Sequence, residues 1–195
     1  MRSKSWVLVA ALVLAALLLF LGIGKVRAAS TEQVYNGGAE DGMNGWTVTL
    51  ASVSSSTADP HSGSRCFLFN GGGSEIWQAF GSPVTVKSVR LFAALAQSGI
   101  MTVSITVKYQ DGKTFTQEFM TSSSTYQELD LAGLDQSKPV VGIYVSCIGI
   151  QAYHVYMDDV SLVGSPADAL TLGLLFILAA LVVVSVGLLY YARKK

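Results

Sequence analysis

Residues 101–120 read MTVSITVKYQDGKTFTQEFM, and their pattern is the clearest structural signal in the chain. From Met101 to Tyr109 every second residue is apolar, and the residues between are Thr, Ser, Thr and Lys. A period of two with one apolar face is typical of a strand that packs one side against a core. Asp111 and Gly112 supply the positive φ angles of a tight turn, and 114–120 places Phe115 and Phe119 on one side. The stretch therefore predicts a β-hairpin.

Shorter apolar runs with β-branched and aromatic residues flank this hairpin. They predict further strands at 46–53, 65–70, 75–80, 84–96, 126–131, 140–150 and 153–163. Turn-forming segments rich in Gly, Ser or Pro lie between them, at 70–74, 122–125 and 136–139. Nine or ten short strands at this spacing predict an all-β fold, an antiparallel β-sandwich. No helical period is present outside the two ends of the chain.

The C-terminal end is apolar, and 169–191 contains no charged residue. As a helix it would reach about 34 Å, enough to cross a bilayer. Tyr190 and Tyr191 would lie at the headgroup level, and the basic tail 192–195 would lie in the cytoplasm. We therefore predict a single transmembrane helix, preceded by a short linker at 164–168.

The N-terminal end resembles a secretory signal peptide. Basic Arg2 and Lys4 precede an apolar run, and small residues follow at Ala28 and Ala29. The segment 1–29 is either cleaved or kept as a signal anchor. Both alternatives place 30–163 outside the cytoplasm, so we predict a plasma-membrane protein with an extracytoplasmic β-sandwich ectodomain displayed at the cell surface.

The near-zero net charge of the chain hides an uneven distribution. Between residues 30 and 166 there are six basic and twelve acidic residues, so this segment is acidic, near −6. A segment without a basic patch does not suit nucleic acid, and we predict no nucleic-acid partner.

Four segments in order resemble the galactose-binding-like jelly-roll domains, a group that includes many carbohydrate-binding modules. They read NGGAEDG at 36–42 with Gly45-Trp46 after it, HSGSRCFLF at 61–69, IWQAF at 76–80 and YMDDVSL at 156–162. Ala39 departs from the pattern, because the family usually has an aromatic residue there. The resemblance implies a jelly roll over nearly the whole ectodomain.

The resemblance also implies a structural calcium ion, held by Glu40, Asp158 and backbone carbonyls of the first two segments. By alternation Asp158 shares a side with Val160 and Leu162, where a carboxylate is costly unless it is paired or ligated. Calcium takes hard oxygen ligands of this kind. The alternative is that Asp158 accepts hydrogen bonds from backbone N–H groups of a turn, without a metal.

Two cysteines, Cys66 and Cys147, fall in predicted strands. Outside the cytoplasm a pair tends to be oxidised, and a disulfide here would close a loop of about eighty residues. The alternative is two buried thiols on different sheets, too far apart to bond.

Function follows from the resemblance rather than from a catalytic motif. The resemblance implies a non-catalytic glycan-binding or adhesion module, in which aromatic rings stack on sugars and amides contact hydroxyl groups. The candidate ligand contacts are Trp77, Gln78, Tyr109 and Tyr144, whereas Trp46 is predicted to lie in the core. The alternative is a structural surface-layer protein, or an accessory subunit that binds protein.

No nucleophile elbow, His-Glu motif or phosphate-binding loop is present, so we predict that the protein is not an enzyme.

Overall fold

A computed structural model describes residues 29–50, 52–149 and 153–167. The predicted signal segment apart from Ala29, the predicted span and the basic tail lie outside the described residues. Within the part that the structure describes, no helix is long and apolar enough to cross a membrane. The described residues belong to one compact unit, Ala29–Ala167.

The regular structure in this unit is β-strand. The ten strands are β1 (Thr31–Glu32), β2 (Thr47–Leu50), β3 (Val53–Ser56), β4 (Cys66–Phe69), β5 (Ser74–Leu95), β6 (Met101–Tyr109), β7 (Thr114–Thr121), β8 (Gln127–Asp130), β9 (Val140–Ile148) and β10 (Val155–Pro166). All of the strand pairs are antiparallel. The prediction of an all-β antiparallel fold is confirmed.

Strand β5 belongs to both layers of the sandwich. Its first part, 74–79, pairs with β2 and β9, and its second part, 84–95, pairs with β10 and β8. The register shifts between Ala79 and Val84, where the strand bends. We call β2-β5-β9-β6-β7 the front layer and β3-β4-β10-β5-β8 the back layer. Pro83 lies in the bend, where its missing N–H removes no ladder hydrogen bond.

The predicted hairpin is present, as β6 and β7. Met101 pairs with Thr121 and Lys108 with Thr114, without a register shift. Gly112 in the turn has φ 84°, as the Asp-Gly sequence predicts. The sequence also placed separate strands at 75–80 and 84–96, which the structure joins into β5. Strand β10 runs into the segment assigned to the linker, because Gly164 and Pro166 pair with Val86 and Val84.

The core fills the space between the layers with alternate residues of each strand. On β6 the buried apolar side chains are those of Met101, Val103, Ile105, Val107 and Tyr109, and Ser104 on the other face is buried as well, at 3% exposure. Trp46 is only 7% exposed and packs edge-on against Phe67, with ring centroids 5.4 Å apart. The prediction that Trp46 is a core residue is therefore confirmed. Since the inner faces supply the core, the outer face of the front layer is left to present side chains.

Candidate functional site

Two aromatic side chains stand together on the outer face of the front layer. Trp77 on β5 and Tyr144 on β9 are direct cross-strand partners. Their neighbours Ile76, Ile143 and Val145 are fully buried, so alternation directs both rings away from the core. The rings stack with centroids 4.0 Å apart and planes 26° apart. We call this pair the Trp77–Tyr144 platform.

A glycine makes room for the platform. A Cβ atom at Gly142, two residues before Tyr144 on β9, would lie 1.9 Å from Cη2 of Trp77 and 2.5 Å from Cζ3. The indole therefore lies in the space that a side chain at position 142 would occupy. The stack is held by the backbone below it and by its aromatic partner, which fixes its orientation.

Hydroxyl and carboxylate groups surround the platform. Along its own row, Trp77 is flanked by Thr47, and Tyr144 by Thr106 and Thr116. The hydroxyl oxygens of Thr106 and Thr116 are 2.8 Å apart. The next row contains the side chains of Glu75, Ser146, Ser104 and Glu118. An apolar aromatic surface beside hydrogen-bonding groups suits a ligand with both apolar faces and hydroxyls, and the two carboxylates disfavour an anion.

The other two predicted ligand contacts lie away from the platform. Gln78 is 5% exposed, and its amide accepts from Tyr35 N (2.7 Å) and donates to Tyr35 O (2.8 Å). Tyr109 is 4% exposed, and its hydroxyl accepts from Asp135 N at 3.2 Å. The structure thus brings together Trp77 and Tyr144, and it uses Gln78 and Tyr109 to hold loops.

The side that Asp158 faces differs from the sequence prediction. Before Asp158 the odd-numbered residues Val155 and Met157 lie in the core, whereas after it the even-numbered Val160 and Leu162 do. The alternation along β10 therefore changes phase between Met157 and Val160. A β-bulge causes the change: the register shifts between Asp158 and Ser161, and Asp159 has φ 49°. The prediction that Asp158 shares a side with Val160 is therefore wrong.

Asp158 is nevertheless fully buried, because the loop before β4 covers it. Its Oδ2 accepts from the N–H of His61 (2.8 Å) and of Ser62 (3.0 Å), and its Oδ1 accepts from Asp159 N (2.7 Å). Burial raises the pKa of this carboxyl, and the three N–H bonds act in the opposite direction. His61 closes the loop by stacking on Phe92, with centroids 3.9 Å apart.

Glu40 anchors the same loop from the other end. Its Oε1 accepts from the N–H of Ser64 (2.8 Å) and of Arg65 (2.9 Å), and its Oε2 accepts from Ser64 Oγ (2.7 Å). The hydroxyl of Ser64 and these N–H groups lower the pKa of Glu40. Both predicted calcium ligands therefore face hydrogen-bond donors, as in the metal-free alternative. Among the described residues, no three His, Cys, Asp or Glu side chains converge as a metal site. Calcium binding stays a prediction.

The two cysteines are separate buried thiols in the structure. Cys66 lies on β4, which pairs with β3 and β10, whereas Cys147 lies on β9 between β5 and β6. Burial raises the pKa of both thiols. This arrangement matches the alternative of two thiols on different sheets.

Sequence reasoning missed two residues near these sites. Gly142 interrupts the apolar run 140–145, and a glycine within a strand signals the close approach of another group. Tyr35 is 53% exposed although it is a large aromatic residue. Nothing in its sequence surroundings marks it, because its position depends on contacts with β5.

Several of the solved structures that resemble this chain in fold are carbohydrate-binding modules. TmCBM61, solved in complex with β-1,4-galactotriose, has a TM-score of 0.58 and 20% identity, over 68% of this chain and 98% of that one. A family 16 module has a TM-score of 0.49 and 17% identity, over 67% and 98%. The C-terminal family 22 module of Clostridium thermocellum Xyn10B has a TM-score of 0.46 and 13% identity, over 74% and 98%. No family model and no curated protein matches the sequence. The described residues thus have the sandwich fold of carbohydrate-binding modules.

Proposed function

We propose that this protein is a non-catalytic module that binds an uncharged glycan on the Trp77–Tyr144 platform. The observation that carries the proposal is the stacked, outward-facing pair over Gly142. A fixed aromatic surface provides the flat apolar contact that a sugar ring needs, and Thr106, Thr116 and Ser146 offer hydroxyls beside it. The likeness in fold to TmCBM61 supports the proposal.

The charge around the platform favours a neutral ligand. Glu75 and Glu118 lie in the adjoining row, and the whole segment is acidic. Glu75 accepts from Thr49 Oγ1 at 2.5 Å, so its carboxylate stays close to the sheet. An anionic glycan would be repelled by these two carboxylates, whereas a neutral galactan, glucan or xylan would not be repelled.

The test is a binding titration of the purified full-length chain with neutral oligosaccharides. The panel starts with β-1,4-galactotriose, the ligand of TmCBM61, and includes glucan, xylan and mannan oligomers. We expect Trp77→Ala to weaken binding by about thirtyfold, since central aromatic contacts are worth about 2 kcal/mol. Tyr144→Ala should weaken it as well, because the indole loses its stacking partner.

A matched control is Ile100→Ala, which removes a 64% exposed apolar side chain away from the platform. It should bind like the wild type. Equal affinities for Trp77→Ala and wild type would refute the platform as the binding site. Preference for a polyuronate over every neutral glycan would refute the choice of ligand class.

A protein partner is the second candidate, and one observation favours it. Met120 is 80% exposed and Ile148 46% exposed, and they flank Thr102 at one end of the same outer face. Exposed apolar side chains that lie together are typical of interaction sites. Chemical cross-linking on intact membranes tests this candidate, and Met120→Ser should abolish a cross-linked species that Trp77→Ala leaves in place.

The proposed location is the outer side of a plasma membrane, with 169–191 as the anchor and 192–195 in the cytoplasm. Support comes from the sequence alone: an uncharged run of this length followed by basic residues. Protease added to intact cells should digest the sandwich. Protection until the cells are permeabilised would contradict this location.

A further inference from the structure

A further aromatic side chain, that of Tyr35, is presented to solvent away from the platform. Tyr35 lies in a groove of about 460 Å³, between the segment 33–35 and the bend of β5. Gln33, Phe80, Ser82 and Pro83 line the groove with it. This volume lies within the range of sites that take small ligands. Trp77 and Gln78 are consecutive residues of β5, so their side chains point to opposite sides of the strand. Tyr35 is hydrogen-bonded to Gln78, and the groove is therefore a surface separate from the Trp77–Tyr144 platform.

Tyr35 is held in place at its backbone and at its hydroxyl group. The side-chain amide of Gln78 accepts from Tyr35 N at 2.7 Å and donates to Tyr35 O at 2.8 Å. At the other end, the Tyr35 hydroxyl donates to Asp41 Oδ2 at 3.0 Å, and Asn44 Nδ2 donates to the same oxygen at 2.7 Å. The bond to Asp41 raises the pKa of Tyr35, so the hydroxyl stays protonated. The ring therefore stays exposed instead of folding onto the surface.

A glycine clears the space beside this ring. A Cβ atom at Gly45 would lie 2.5 Å from Cδ1 of Tyr35, and Gly45 has φ 82°, a conformation that other residues rarely adopt. The position of the ring thus depends on Gly45 as that of Trp77 depends on Gly142. An exposed ring that is fixed by so many contacts is preorganised for a ligand, because no ordering is needed on binding.

The chemistry of the groove selects an uncharged ligand. None of the described residues that line it is charged. Tyr35, Phe80 and Pro83 supply apolar surface, and the exposed Ser82 supplies a hydroxyl group. Aromatic surface with neutral hydrogen-bonding groups fits the face and the hydroxyls of a sugar ring better than it fits a phosphate or a peptide carboxylate.

We propose that the Tyr35 groove is a second carbohydrate site, which takes an uncharged sugar unit of the same class of glycan. The proposal rests on the proposed function for its ligand class, and on Tyr35 for its place. With two sites on different surfaces, one chain can hold two glycan strands, or two places on one strand. Binding to a polymer then becomes tighter than binding to a short oligomer, because the second contact is intramolecular.

The experiment counts sites on the full-length chain by calorimetric titration with β-1,4-galactotriose and the neutral panel. We expect two sites per wild-type chain, one in Tyr35→Ala, one in Trp77→Ala and none in the double variant. Ser82→Glu is the second variant, because it places a charged side chain at the groove without removing a hydrogen bond that holds Tyr35. It should also leave one site, with an unchanged melting temperature. Tyr35→Phe keeps the ring but loses the bond to Asp41, so it should keep two sites and bind more weakly at the groove.

The outcomes separate the two proposals. A single site that Trp77→Ala abolishes, and that Tyr35→Ala and Ser82→Glu leave intact, overturns the second site and leaves the platform standing. A single site that Tyr35→Ala abolishes and Trp77→Ala leaves intact overturns the platform and supports the groove. Binding of no neutral oligomer by the wild type overturns both.

Discussion

Replacing Gly142 by alanine is the most direct perturbation of the Trp77–Tyr144 platform, because the added methyl group has no free space. Its carbon would lie 1.9 Å from Cη2 of Trp77 and 2.6 Å from the backbone oxygen of Gln78. Contacts below 3.0 Å are essentially never seen for a real Cβ atom, so the indole or the strand must move. The substitution adds one methyl group and removes no functional group.

The expected cost combines two terms. Overpacking against a fixed backbone costs about 1–3 kcal/mol, and a lost aromatic stack costs about 1 kcal/mol. In a domain of this size each kcal/mol lowers the melting temperature by roughly 3–5 °C. We therefore expect Gly142→Ala to melt at least about 3 °C below wild type. The displaced indole should also weaken binding of β-1,4-galactotriose by about tenfold or more, equivalent to 1.4 kcal/mol.

Melting is followed by circular dichroism and binding by calorimetry, on the full-length chain. Gly81→Ala is the matched control for melting. Gly81 is a glycine in the bend of β5, and a Cβ atom there meets nothing within 4 Å. If Gly142→Ala melts like wild type and binds with equal affinity, then the ring is not held by Gly142, and the reasoning about the platform is wrong.

Three further predictions concern the loop before β4 and the buried thiols. If Glu40 and Asp158 bind calcium as the resemblance implies, millimolar calcium should raise the melting temperature by several degrees over that in chelator; equal melting temperatures would support the metal-free alternative, in which N–H donors contact both carboxylates. Glu40→Gln should lower the melting temperature at neutral pH and by less below about pH 4, because the lowered pKa of Glu40 stabilises the fold fully above the unfolded-state pKa and the effect is lost as the pH falls through the folded-state pKa; a pH-independent difference would contradict this. Cys66 and Cys147 should resist a thiol reagent at pH 8 until the chain unfolds, because burial raises the pKa of both and leaves little thiolate; rapid labelling of the native chain would contradict it.

The fold class could be predicted because its signals are local. The period of two in 101–109 and the Asp-Gly turn fix a hairpin whatever surrounds it, and β6 and β7 form this hairpin without a register shift. The bend of β5 could not be predicted. Gly81-Ser82-Pro83 gives the same turn signal whether the chain reverses there or a single strand passes from one layer to the other. Which of these occurs depends on the partners β9 and β10, which are distant in sequence.

The site shows the same division. Alternation and neighbouring residues are local properties, and they were enough to place Trp77 and Tyr144 on strands and Trp46 in the core. That β5 and β9 are neighbours, and so that Trp77 stacks on Tyr144 above Gly142, became clear only from the folded structure. The same holds for the bulge that reverses the side of Asp158 and for the bonds by which Gln78 holds the exposed Tyr35. Strand pairing and register arise from packing between residues far apart in the chain, and no local pattern encodes them.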